Sequence, residues 1–342
     1  QLIIDNLSKA GKRMMGFCKS TFFKRIDSSG FAFLLTVYRH ILRNAVFIYA
    51  IDNKLPLPIG DENSLPEEYI EDEDTNETLF GNEDKTDVIS ERGQEIIFPT
   101  DMKVYMAKAK EYYDIISHKN NLSWINHKYF KRTLKQQLNK DCVTLIDMLK
   151  LCGNWNADND QKLIELHDLL EQKHSKDKVL VFTQYSDTAK YIYRHLKRMG
   201  VEKIACVTGN SQNPTSDVEH FSPLSNEKNY SMDEQYRVLI ATDVLSEGQN
   251  LQDSHVITNF DLPWAIIRLI QRAGRVDRIG QKSETIKCYS FFPADGVEEI
   301  VVQMVGLEIV QRVMVHLQRD FPRRITEIRE FRCDEIAVSR MP

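Results

Sequence analysis

Residues 178–200 read KVLVFTQYSDTAKYIYRHLKRMG, and the fold turns on how this stretch is read. Its first half is a short apolar run, partly β-branched and bounded by charge, the pattern of a strand buried on both faces of a parallel sheet. A helical pattern follows at once. Asp187 is its predicted N-cap, Lys197 and Arg198 fall in its last turn, and Gly200 closes it. The unit then repeats: KIACVTG (203–209), YRVLIATD (236–243), HVITNFD (255–261) and TIKCYSFF (285–292) each read as a strand, with helical patterns between most of them. Such alternation predicts an α/β fold, a parallel sheet flanked by helices. Ligands of these sheets gather at the C-terminal ends of the strands. Gln184, Thr208, Gly209, Thr242 and Asp243 all follow strands, so their placement alone predicts a functional edge.

Outward from this core the texture changes. Residues 1–60 read as a helical region whose most apolar stretch, FAFLLTVYRHILRNAVFIYAI (31–51), carries Arg39, His40 and Arg43 in its middle. That makes it a buried helix; no apolar run approaches the ~20 residues of a membrane span. Residues 61–98 form an acidic insert, a loop or disordered segment with prolines and little apolar content. Residues 99–172 are helical again, and Lys128, Lys131, Arg132, Lys135 and Lys140 read either as a solvated helix face or as a row along phosphates. The lobe itself spans 173–295. Residues 296–342, with apolar residues and arginines at helical spacing, read as a C-terminal helical extension.

Composition narrows the class. The chain has 342 residues, 42% hydrophobic, enough for a substantial core. It opens on Gln1, which reads as the start of a piece excised from something longer. The six cysteines are scattered without C-x-x-C and the nine histidines without paired spacing, so we assign no metal to either. Small buried thiols in a reducing cytosol fit that scatter. From Asp61 to Glu95 there are fourteen Asp/Glu against two Lys/Arg, a local −12, leaving −5 + 12 = +7 for the remainder. One acidic insert hides a moderately basic body suited to a polyanion.

QRAGRVDRIGQ (271–281) holds Arg272, Arg275 and Arg278 three residues apart. The preceding DLPWAIIRLI offers Asp261 as a cap and Pro263 in the first turn. Ile266, Ile270 and Ala273 make the inward stripe, with Leu269 beside it, while Arg268, Gln271, Arg272 and Arg275 face elsewhere. Gly274 interrupts the helix just before Arg275. Guanidinium forks bind phosphate oxygens in pairs and keep their charge, yet spacing alone also fits a plain surface helix. The segment VLIATDVLSEGQNLQ (238–252) ends a strand in Thr-Asp and turns through glycine, offering a hydroxyl and backbone N–H groups to a phosphate. Asn250 could bond a ribose or a base edge.

The order KVLVFTQY, VTGN, VLIATDVLSEGQNLQ, ITNFDLPW, LIQRAGRVDRIGQ resembles motifs IV, V and VI in the second RecA-like lobe of superfamily-two helicases. RIGQ and NLQ resemble the Swi/Snf-type DNA translocases. FKRIDSSGFAF and FSPLSN point to a bacterial branch similar to the RNA-polymerase-associated ATPases. This resemblance implies that Arg275 and Arg278 are arginine fingers, with Gln271 sensing the γ-phosphate. It implies that Gly248, Asn250 and Asp243 lie at the nucleotide, and that Gln184, Thr208, Gly209 and Thr242 lie along one strand of a DNA backbone. Arg272 is expected to stay on the helix face in a supporting role, and Trp264 to be structural.

Some residues depart from the pattern. Ala265-Ile266 stand where the family has Asn-Pro, and Gly274 is more typical of general superfamily-two helicases. No G-x-x-x-x-G-K-[ST] occurs, so ATP and Mg²⁺ are expected to be held mainly by an N-terminal RecA-like lobe of the same protein, and the fragment alone is expected not to hydrolyse ATP. DEIA (334–337) is in the wrong order and is expected to follow no strand. The whole reads as the C-terminal motor lobe of a DNA translocase on a double-stranded DNA backbone, in the bacterial cytoplasm at the nucleoid. Two alternatives stay open: an RNA helicase lobe of the same superfamily, and a non-catalytic nucleic-acid-binding scaffold.

Overall fold

A computed structural model describes residues 22–59, 90–92, 95–118, 123–131, 133–246, 250–263, 267–278, 280–291 and 325–331. The chain divides into two compact units, one formed by Phe33–Asn156 and the other by the segments on either side.

Helix α1 covers 22–28, and α2 runs Gly30–Asp52. By length and composition α2 could cross a membrane, but two-thirds of it is buried within the protein, as the polar residues in its middle predict. In the unit 33–156, β1 (Leu57–Ile59) pairs antiparallel with β4 (Ser123–Ile125), and β2 (Ser90–Arg92), β3 (Glu95–Ile97) and β5 (Trp155–Asn156) form a second antiparallel sheet. The acidic stretch therefore ends in two strands, not in a loop reaching 98; its residues 61–89, 93 and 94 lie outside the described residues. Helix α3 (Met102–Ser117) is capped by Asp101, whose carboxylate accepts from the Lys103 amide at 2.9 Å. Helix α4 (Leu134–Cys152) ends at Gly153, whose φ of +66° few other residues adopt. Of the basic row, Lys128 sits in a 3₁₀ turn before α4, and Lys135 pairs with Asp52 at 2.5 Å.

The other unit carries the sheet. Helix α5 (Gln161–Asp168), capped by Asp160, leads to β6 (Val179–Phe182). Then follow α6 (Ser186–Arg198), β7 (Ile204–Val207), α7 (Pro214–Phe221), β8 (Val238–Ala241), β9 (Val256–Asn259), α8 (Ile267–Ala273), β10 (Ile286–Phe291) and β11 (Ile325–Phe331). The sheet order is β11-β10-β9-β6-β8-β7, parallel throughout. All five strands expected from the alternation are present. Every residue of β6, β8 and β9 is buried, which is why these strands read as continuous apolar runs. Leu180 and Phe182 share one face with Val218 and Phe221 of α7 and Ala273 of α8; full burial of each large side chain contributes about 1.5–3 kcal/mol. The chain leaves β6 towards β7 on one side and continues from β9 to β10 on the other. The topological switch therefore lies between the C-terminal ends of β6 and β9.

Further expectations are corrected in these elements. Asp187 does not cap α6; Tyr185 takes that position without a side-chain bond, and Asp187 turns inward onto Arg25 at 3.0 Å. Within the expected C-terminal helical extension, 325–331 is a strand. ITEIREF spaces Ile325, Ile328 and Phe331 by three, a helical period that pairing with β10 overrides; the remainder of that extension, DEIA included, lies outside the described residues. DEIA thus does follow a strand, since β11 ends at Phe331. Of the described cysteines, all free thiols, Cys142 and Cys288 are buried as expected, but Cys152 is exposed and Cys206 half-buried.

Candidate functional site at the strand ends

Helix α8 is anchored by an arginine. Leu269, Arg272, Ala273 and Val276 are buried, a stripe at i, i+3, i+4, i+7, whereas Ile267 is exposed and Ile270 only partly covered. The inward face is rotated from the Ile266–Ile270–Ala273 stripe expected from hydrophobicity, and Arg272 lies in its centre, not on a solvated face. Its guanidinium is fully buried. Nε and Nη2 donate to the two carboxylate oxygens of Asp243 at 2.6 and 3.0 Å, and Nη1 donates to Asn259 Oδ1 at 3.1 Å and to the Asp261 carbonyl at 3.3 Å. The guanidinium carbon lies 5.2 Å from the centre of the Phe182 ring. Arg272 thereby ties α8 to the ends of β6, β8 and β9. The counting that would have found it includes arginine in the stripe and takes Asp243, just past a strand end, as its partner.

Past Ala273 the helix stops. A Cβ on Gly274 would approach the Ile270 carbonyl to 3.3 Å, and the chain continues in turns. Arg275 and Arg278 are both half-buried. Arg278 Nη1 donates to Asn250 Oδ1 at 3.0 Å. At the end of the segment the Gln281 amide donates to the carbonyls of Ser254 and Val276 at 2.9 and 3.0 Å. Gln271 is exposed on α8. The turn that carries Arg278 and the loop after β8 that carries Asn250 therefore meet, whereas Gly248, Trp264 and Ala265-Ile266 lie outside the described residues.

The other predicted residues fall around the same strand ends. Asp243 opens a 3₁₀ turn after β8, and its carboxylate also accepts from Arg268 at 3.3 Å. Thr242 is buried, its amide donates to the Val207 carbonyl at 3.1 Å, and its hydroxyl has no partner among the described residues. Thr208 is buried and its amide donates to Ser211 Oγ at 2.9 Å; Gly209 beside it is exposed. Gln184 is buried, and its side-chain amide donates inward to the Leu262 carbonyl at 2.6 Å.

A second buried polar cluster sits at the switch between β6 and β9. Asp261 is fully buried there. Its carboxylate accepts from Ser28 Oγ and Thr183 Oγ1, each at 2.5 Å, and from the Gln184 amide at 2.9 Å. Burial pushes the Asp261 carboxyl above the usual carboxylate range, against the pull of Arg272 and the bonds from Ser28 and Thr183. Asp27 beside it is pushed up to about 7, by burial first and by Asp261, with Lys162 opposing. Arg25 donates to Asp187 and lies 3.9 Å from the Tyr185 ring centre, so α1 is bound to the strand ends by charge and hydrogen bonds. RIDSS (25–29) enters the sequence reading only through a resemblance, yet its residues are structural partners of the site.

Residues 161–280 match the family model described as the helicase conserved C-terminal domain. The chain is 30% identical over 149 residues to the uncharacterized ATP-dependent helicase YqhH of Bacillus subtilis, covering 43% of this chain and 24% of that protein. It is 32% identical over 122 residues to the DEAD-box ATP-dependent RNA helicase 35A of Oryza sativa, covering 36% and 18%. It is 42% identical over 76 residues to the RNA polymerase-associated protein RapA of Pseudomonas putida, covering 22% and 8%. The chain thus spans no more than about a quarter of these relatives' lengths.

Proposed function

We propose, from the match of residues 161–280 to the helicase conserved C-terminal domain, that this chain is the C-terminal motor lobe of an ATP-dependent, Swi/Snf-type translocase acting on duplex DNA. The observation that carries the reading is the bond from Arg278 to Asn250. It joins two segments 28 residues apart in sequence, each with groups suited to a nucleotide, on the edge where parallel sheets take ligands. Identity to RapA across the matched 76 residues supports the Swi/Snf branch.

In this reading Arg275 and Arg278 reach the γ-phosphate and stabilise the charge that develops on it. Gln271, exposed on the last turns of α8, senses the same group, and Asp243, Gly248 and Asn250 border the nucleotide. The strand ends at Thr208, Gly209 and Thr242, with Gly209 exposed, border the path of one DNA strand, whereas Gln184, expected there too, turns its side chain inward to Leu262. ATP with Mg²⁺ supplies the phosphoryl group, held chiefly by a second RecA-like lobe, and the setting is the bacterial cytoplasm at the nucleoid.

In the two-lobed protein, Arg275→Ala lowers DNA-stimulated ATP hydrolysis by about 10³-fold or more, while binding to duplex DNA at fixed salt survives. Undiminished hydrolysis sinks the finger assignment. Comparing duplex DNA with single-stranded RNA as stimulant tests the substrate, because the identity to the rice RNA helicase favours RNA. Hydrolysis that responds only to RNA overturns the duplex reading, and binding without any stimulated hydrolysis in the parent leaves the scaffold.

A further inference from the structure

The FSPLSN stretch, 221–226, lies far in sequence from the arginines yet is bonded to the residue that holds one of them. Leu224–Asn226 is a 3₁₀ turn closed by Glu227 at a φ of +55°. Asp253 fastens it: its carboxylate accepts from the Leu224 and Ser225 amides at 2.8 and 2.9 Å and from the Ser225 hydroxyl. The Asp253 amide in turn donates to Ser222 Oγ at 3.2 Å.

From this fastened turn two bonds reach Asn250. Asn226 Nδ2 donates to the Asn250 carbonyl at 2.9 Å, and Asn250 Nδ2 donates to the Ser225 carbonyl at 3.3 Å. Asn250 Oδ1 then accepts from Arg278. The chemistry of the partners dictates this orientation, because a carbonyl only accepts and a guanidinium only donates. Asn250 therefore has to be an amide here: a carboxylate cannot donate to Ser225, and an apolar residue can do neither.

We propose that the 222–226 turn is a positioning element for Arg278, with Asn226 setting Asn250 and Asn250 setting the guanidinium. The inference rests on reading Arg278 as a ligand of the γ-phosphate, and deepens it. A guanidinium on a half-buried turn samples many rotamers; a fixed acceptor at 3.0 Å removes most of that freedom before the nucleotide arrives, and pre-orientation of this kind carries a large share of catalysis. Asn226 is a positioning residue, since it acts only through Asn250.

The test is a double-mutant cycle on ATP hydrolysis in the two-lobed protein, reading kcat and KM separately. Asn226→Ala is expected to lower kcat by about 10- to 100-fold, the range of a misplaced catalytic group, with KM for ATP changed by less than about twofold. In an Arg278→Ala background the same substitution is expected to do nothing further, because coupled residues are not additive. Asn226→Asp repeats the cycle with a near-isosteric change if Asn226→Ala fails to fold, since a carboxylate cannot donate to the Asn250 carbonyl, and is expected to show the same loss. Normal kcat in either folded variant, or a loss that adds fully to that of Arg278→Ala, overturns the positioning role. If Arg278→Ala itself hydrolyses ATP at the parent rate, the γ-phosphate reading of Arg278 fails first.

Discussion

Arg272 stands in the stripe where an aliphatic residue would ordinarily sit, and four of its five donors are matched by Asp243, Asn259 and Asp261. A buried ion pair adds little net stability over a well-packed apolar pair, but removing one partner strands the other. Arg272→Ala therefore leaves the Asp243 carboxylate and the Asn259 amide short of donors and opens a void against Phe182. We expect a loss of about 3–5 kcal/mol, measured by urea denaturation of the chain. Arg272→Lys keeps the charge but replaces a planar fork by a point, so it recovers less than half of that loss. A lysine variant within about 0.5 kcal/mol of the parent, the scatter of a neutral surface change, contradicts the fork's role. The consequence for the site is positional, since Arg275 and Arg278 leave the same anchored helix three and six residues later.

At the scale of elements, α1 shows how a short helix is held by polar chemistry and what that makes sensitive to pH. Asp27 is buried, one of its carboxylate oxygens has no partner among the described residues, and Lys162 donates to its backbone carbonyl, not to its carboxylate. Its carboxyl ionises near 7 in the folded chain against 3.8 ordinarily. The folded chain thus keeps a proton that the unfolded chain gives up. Stability from this group is full below about pH 4, declines as pH rises, and is gone above about 7, a total of at most about 4 kcal/mol. Asp27→Asn removes the decline, so the variant gains on the parent between pH 5 and pH 8 in denaturation midpoints. An equal offset at both pH values is the outcome that contradicts it. Elements such as β6, β8 and β9 were legible because burial on both faces forces continuous apolar runs. The turn at Gly274 was legible because helix and glycine conflict. β11 and the Arg272 stripe were not, since one depends on pairing with a distant strand and the other on an arginine whose acid partner lies 29 residues away in sequence. The Ser225–Asn226–Asn250–Arg278 chain was invisible for the same reason: hydrogen bonds between loops leave no period in the sequence.

For the molecule as a whole, charge is distributed so that the net value conceals a basic remainder. Between residues 61 and 89 lie twelve Asp/Glu and one Lys, so a Ser/Gly segment of the same length in their place changes the net charge from −5 to −5 + 11 = +6. Long-range attraction to a phosphate backbone scales with that charge and is screened over about 10 Å at 0.1 M salt. If the acidic stretch opposes a basic body, replacing it raises duplex affinity at about 50 mM salt by roughly tenfold or more, and the advantage shrinks as salt approaches about 200 mM. The substitution removes few apolar residues, so the denaturation midpoint is expected to stay within a small surface effect. Fluorescence anisotropy of a labelled duplex across a salt series reads the difference directly. Parallel lines on a plot of log affinity against log salt mean that the acidic stretch acts by bulk and not by charge. Coincident lines mean that its charge is not felt there at all. Lines that converge with rising salt are the signature of through-space repulsion, the outcome expected of a basic lobe with an acidic insertion.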